Sequence, residues 1–169
     1  LDALGCEHAD FEATTLNAFI GRGKHATRAV RNRLGELLQS SAPELADHAS
    51  RVLVAQSDAT MHLPVQVGDY TDFYSSEDHA RNVGKMFRDP DNALLPNWKH
   101  MPVGYHGRAS SIVVSGTPIR RPSGQTRPDD NAPPVFGPSR LLDFELEMAF
   151  VTHSGKPLGE SISTAEADD

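Results

Sequence analysis

Cysteine is almost absent from this 169-residue sequence, and aromatic residues make up only 7% of it. With Cys6 alone no internal disulfide can form, so the expected setting is a reducing, cytoplasmic compartment. Positive charge is also in deficit: 16 Lys and Arg face 23 Asp and Glu, a formal charge of -7. Nucleic-acid binding calls for a basic face, and anionic membrane surfaces repel acidic chains, so neither is an expected partner. No apolar run approaches the roughly 18 residues a membrane helix requires, and no basic-then-apolar leader opens the sequence. It begins with Leu1 rather than methionine and ends in "STAEADD", which closes no structural element, so it reads as a piece of a longer polypeptide. What is present, 38% apolar residues and 13 glycines, is the ordinary content of a globular chain able to bury one core.

The first third is patterned for helices. In "TTLNAFIGRGKHATRAVRNRLGELL", apolar residues fall at Leu16, Phe19, Ile20, Ala26, Val30, Leu34 and Leu37, close to a 3.6-residue period, after a threonine cap at Thr14 or Thr15. Gly21 and Gly23 interrupt the start, so the spacing predicts a continuous helix over 24–39. A second helix over 44–54 follows the "SSAP" break, with Pro43 suited to a first turn.

From Met61 the pattern changes to short apolar runs punctuated by proline and glycine: "MHLPVQVGDY", "ASSIVVSGTPI" and "LLDFELEMAFV", which read as strands. Between the last two, the prolines of "RRPSGQTRPDDNAPPVFGPSR" rule out a helix and predict an extended surface excursion. The expected division is a helical segment over 1–60 and a β-rich portion over 61–169, an α+β chain.

Chemistry gathers in two places. Strand alternation in "LLDFELEMAFV" puts Leu142, Phe144, Leu146, Met148 and Phe150 on one face and Asp143, Glu145 and Glu147 on the other. Glu145 and Glu147 then lie about 7 Å apart with no lysine or arginine between them. Such a side is either a solvent-facing strand edge or part of an oxygen-rich site for calcium or magnesium. The second place is "DYTDFYSSEDHARNVGKMF", residues 69–87. Ser75 or Ser76 caps a helix running to about Phe87, with Ala80, Val83, Met86 and Phe87 on its inner side and Asp78 in a loose capping box. His79, four residues before Val83, leans toward that inner side, where it serves either as a packed structural histidine or as a site residue. Asp72 and Tyr74 alternate with Phe73 and project together from an extended segment. Asp69 reads as a turn residue.

The strings "DYTDFYSSEDHARNVGKMFR", "ALLPNWKHMPVGYHGRASSIVVSGTPIRRPSGQ" and "RLLDFELEMAF" closely resemble the fumarylacetoacetate hydrolase family, metal-dependent hydrolases acting at the end of tyrosine and phenylalanine breakdown. The likeness covers about residues 60–152 nearly continuously and extends loosely to "TLNAFIGRG". It implies a partial mixed β-sandwich or roll from the family's catalytic domain, preceded by the end of a small amino-terminal domain and a helical connector. It implies that Asp72, Glu145 and Glu147 ligate a divalent ion, Ca2+ or alternatively Mg2+, and that His79 is the general base activating water. Tyr74, Arg88 and Tyr105 match positions that contact the small diketo-acid substrate, whereas His106 and Arg108 are expected to pack the loop. It implies a homodimer for the full-length protein.

The family's remaining aspartate ligand, active-site lysine and arginine, and the glutamate orienting the histidine are expected beyond Asp169. Little activity is therefore expected of this chain alone. Two alternatives stand beside hydrolysis of fumarylacetoacetate: a related acylpyruvate hydrolase or isomerase, and a non-catalytic truncated product.

Overall fold

The computed structural model describes residues 1–152 and 155–168. Its elements are helices and two small antiparallel sheets, an α+β content. They divide into two compact units, one of residues 1–64 with 114–169 and one of residues 65–113.

The first unit opens with two short helices, α1 (Ala9–Glu12) and α2 (Asn17–Ile20), followed by α3 (Lys24–Leu37) and α4 (Pro43–Val52). Gly23 sets the start of α3 from a left-handed conformation (φ 85°) that side chains avoid. Pro43 occupies the first turn of α4, as expected from its fixed φ. Ala26 and Val30, one turn apart on α3, bury against Cys6, with Leu4 and Phe19 packed on this cluster and Phe11 stacking on Phe19 at 5.1 Å. The apolar stripe outruns its cover, leaving Leu34 half exposed.

An ion pair between the buried Asp10 and the exposed Arg22 joins the first helix to the turn after the second. Asp10, 4% exposed, accepts the Glu7 backbone N–H at 2.7 Å and the Arg22 Nε–H at 3.0 Å, while Arg22 also reaches Glu7 at 3.2 Å. The Glu7 amide, and after it the Arg22 guanidinium, hold the Asp10 carboxyl below its ordinary 3.8, against the opposing pull of desolvation. Folding thus favours the ionised form, and the stability it contributes is complete above the ordinary carboxylate range and lost as pH falls through the lowered value. We expect Asp10→Asn to be less stable than the parent at pH 6, with the gap narrowing below about pH 4 as the parent protonates. Urea midpoints by circular dichroism between pH 2 and 6 measure this, and a gap that is constant with pH rejects it.

Downstream, β3 (Ser123–Thr126) and β4 (Val135–Pro138) form a hairpin with Ser123 opposite Pro138 and Thr126 opposite Val135. The proline-rich excursion is therefore extended, as expected, but paired with itself. Near the end of the chain, Glu166 accepts bonds from Lys156 and from the Ser163 amide and hydroxyl, which hold its carboxyl down to about 2.

Residues expected as strands at 61–70, 109–119 and 141–151 are not strands. Their alternation meets one requirement of a strand, but the ladder's hydrogen bonds must come from a neighbouring chain segment. None of the described residues supplies them for 141–150, so Phe144, Leu146 and Met148 stand 90–97% exposed.

In the second unit, β1 (Thr71–Phe73) pairs antiparallel with β2 (Gly104–His106), placing Asp72 opposite Tyr105. Bonds from Tyr74 N–H to Val103 O (2.8 Å) and from Gly107 N–H to Tyr70 O (2.7 Å) continue the pairing at both ends. The helix α5 (Glu77–Phe87) begins at Ser76, whose Oγ accepts the His79 N–H at 3.3 Å. Ser76 is thus the cap rather than Ser75, and Asp78 falls outside the box position. The buried face of α5 is Ala80 and Gly84 against Ala93. Met86 and Phe87, expected inside, are 65% and 78% exposed because the chain after α5 folds back only as far as Gly84 and the short turn Pro90–Asn92.

Candidate functional site

Asp72 is the focus of the 65–113 unit. Its Oδ2 accepts the hydroxyl of Tyr105, its cross-strand partner, at 2.8 Å, and that of Tyr70, which immediately precedes β1, at 3.1 Å. Tyr70 was not among the residues singled out from the sequence, although its i,i+2 relation to Asp72 was visible there.

His79 lies in the first turn of α5, half-buried, with its ring edge-on to Tyr74 at 5.3 Å between centroids. Tyr74 is anchored at its other end, donating its hydroxyl to Ala80 O at 3.2 Å, and its carbonyl accepts the Trp98 indole N–H at 2.9 Å. The imidazole is thereby backed by a ring that is fixed at the strand and at the helix. Glu77, beside it, is engaged by Arg81 at 2.8 Å and Lys99 at 3.4 Å. Arg81 chiefly, with Lys99 assisting, lowers the Glu77 carboxyl, which marks it as a structural anion of the helix start rather than a free acid.

Arg88 sits at the far end of α5, about 13 Å along the axis from His79 at 1.5 Å per residue. There its guanidinium donates to Ala93 O at 2.9 Å and closes the turn after the helix. His106 is at the edge of β2, 4.0 Å from Asp69. An open cleft of about 360 Å³ lined by Phe73, Tyr74, Trp98, Lys99 and Val103 touches neither Asp72 nor His79.

Glu145 and Glu147 belong to the other unit, on the exposed stretch after the β3–β4 hairpin, with carboxylate oxygens within 4.8 Å of one another. Two neighbouring carboxylates offer oxygen donors, the chemistry that suits a hard divalent cation and not a soft one.

Family models match nearly the whole chain: fumarylacetoacetase N-terminal over residues 3–64 and fumarylacetoacetate hydrolase C-terminal over residues 69–169. The fumarylacetoacetase of Mus musculus is 58% identical over 162 residues, 94% of this chain and 39% of that protein. That of Caenorhabditis elegans is 58% identical and that of Homo sapiens 56%, each over 167 residues, 96% of this chain and 40% of the relative. The chain thus spans about two fifths of the length of these relatives. Among the described residues, no helix is long and apolar enough to cross a membrane.

Proposed function

The chain belongs to the fumarylacetoacetate hydrolase family, and from that premise we propose that, in a polypeptide of its relatives' full length, it hydrolyses fumarylacetoacetate to fumarate and acetoacetate. Asp72, Glu145 and Glu147 hold a divalent cation, calcium or magnesium, which when bound supplies Lewis-acid polarisation of a substrate carbonyl. His79 takes a proton from water, the resulting hydroxide adds to the carbonyl, and the carbon–carbon bond breaks with its electron pair leaving on the acetoacetate portion, which is then protonated. Tyr74 and Tyr105 orient the diketo acid, and Arg88, released from Ala93, pairs with a substrate carboxylate. The catalytic portion, residues 61–169, is the first part of a β-rich sandwich or roll, following the end of a smaller domain at 1–60.

The observation that supports this reading is the pair of neighbouring glutamates: in a chain of this family, Glu145 and Glu147 offer carboxylate oxygens within 4.8 Å of one another, which suits a hard cation, and His79 on its capped helix suits the activation of a hydrolytic water. The test is turnover of fumarylacetoacetate by the full-length polypeptide, followed as loss of the diketone absorbance. Glu145→Gln removes one charged ligand and is expected to weaken calcium binding at least about ten-fold by calorimetry. Unchanged calcium affinity in that variant rejects the ligand assignment; absence of turnover by the parent rejects the substrate.

A further inference from the structure

We infer that Tyr70 is a positioning residue for Asp72, holding the carboxylate by Oδ2 so that Oδ1 is the atom offered to a divalent cation. The inference rests on the reading of Asp72 as a ligand and adds how that ligand is oriented.

Both hydrogen bonds to Asp72 fall on one oxygen. Tyr105 donates to Oδ2 at 2.8 Å and Tyr70 to the same atom at 3.1 Å, and among the described residues Oδ1 accepts none. Two donors on a single carboxylate oxygen fix the rotation of the group and leave its lone pairs unequally available, which favours one-oxygen coordination through Oδ1.

The two phenols are not equivalent. Tyr105 is 63% exposed and stands where substrate contact is proposed, so it is the donor that a diketo acid can draw away. Tyr70 is half-buried, and its ring lies across Gly107. A Cβ at position 107 would come within 3.3 Å of the Tyr70 Cγ and closer still to Cδ1 and Cε1, so the residue there must be glycine for the ring to occupy this place. The Gly107 N–H to Tyr70 O bond of 2.7 Å fixes the backbone from which the ring projects. Tyr70 is thus the donor that stays on Asp72 when Tyr105 turns to substrate.

The experiment titrates calcium chloride into the full-length polypeptide by calorimetry and follows the Asp72 side-chain carboxyl carbon by NMR in the metal-free state, with its resonance assigned from Asp72→Asn. Tyr70→Phe removes the hydroxyl and keeps the ring. It is expected to leave the circular dichroism spectrum unchanged, to move the Asp72 carboxyl resonance, and to weaken calcium about ten-fold or more. If Asp72→Asn abolishes calcium binding while Tyr70→Phe retains the parent affinity and the parent resonance, the inference falls and the ligand reading stands. If Asp72→Asn binds calcium as the parent does, the ligand reading falls and takes the inference with it. A full-length parent that gives no calcium isotherm likewise removes the ion and the purpose assigned to Tyr70.

Discussion

His79→Ala in the full-length polypeptide is expected to lower turnover of fumarylacetoacetate by about 10²- to 10⁴-fold, the usual contribution of a positioned general base. Its position is fixed from three directions. The Ser76 hydroxyl accepts its backbone N–H, the Tyr74 ring stands edge-on to its imidazole, and Tyr74 is in turn tied to Ala80. Because the side chain sits on the first turn of a capped helix, its removal leaves the surrounding backbone bonds in place. Calcium affinity is expected to hold within about two-fold, since the oxygen donors of Asp72, Glu145 and Glu147 carry the ion by hypothesis. The measurement is kcat and KM from the diketone absorbance, with the calcium isotherm of the same variant alongside. Near-parental kcat removes His79 from the reaction; loss of calcium binding together with turnover assigns it to the metal.

The second large effect is on folding, and it pairs two glycines that are both inside helices. Gly84→Ala is expected to unfold or severely destabilise the 65–113 unit, whereas Gly35→Ala is expected to stabilise the chain by up to about 1 kcal/mol. In each case alanine gains the same helix propensity, so the difference lies in what the new methyl meets. At Gly35 there is nothing within 4 Å. At Gly84 a Cβ would lie 2.9 Å from the Ala93 carbonyl carbon and nearer still to its oxygen, and these are backbone atoms that cannot rotate aside. Forced overpacking commonly costs about 1–3 kcal/mol, and backbone against backbone has the least room to relax, so the clash outweighs the propensity gain. Trp98 reports the result, because its indole N–H is bonded to Tyr74 O within the same unit. A Gly84→Ala chain with the parent's tryptophan emission and thermal midpoint rejects the close approach of α5 to Ala93.

These two cases show which parts of the molecule were legible beforehand. Helix α3 was placed at its observed start, and α4 and α5 within a residue or two of theirs, because helical hydrogen bonds link residues four apart and their stop and start signals, Gly23, Pro43 and Ser76, are adjacent in the chain. The identity of the acidic and imidazole groups, and the strings that carry the family likeness, were likewise present in the linear order of residues. The glycine that α5 needs at position 84 was not, since its reason is a carbonyl nine residues further on that arrives only when the chain folds back.

Strands behaved differently for the same physical reason. Alternation in 141–151 describes which side a residue takes if a strand forms, and a strand forms only when another segment completes its hydrogen bonds. The pairs that do form, residues 71–73 with 104–106 and 123–126 with 135–138, were set by partners that periodicity does not name. At Asp72 both kinds of information meet. The two-residue spacing that lets Tyr70 reach it along an extended segment is a property of the sequence, although the Gly107 amide that fixes the Tyr70 backbone arrives only with the fold. The tie of Asp72 to Tyr105, 33 residues away, exists because antiparallel pairing sets those two residues opposite each other, and only the tertiary structure decides that.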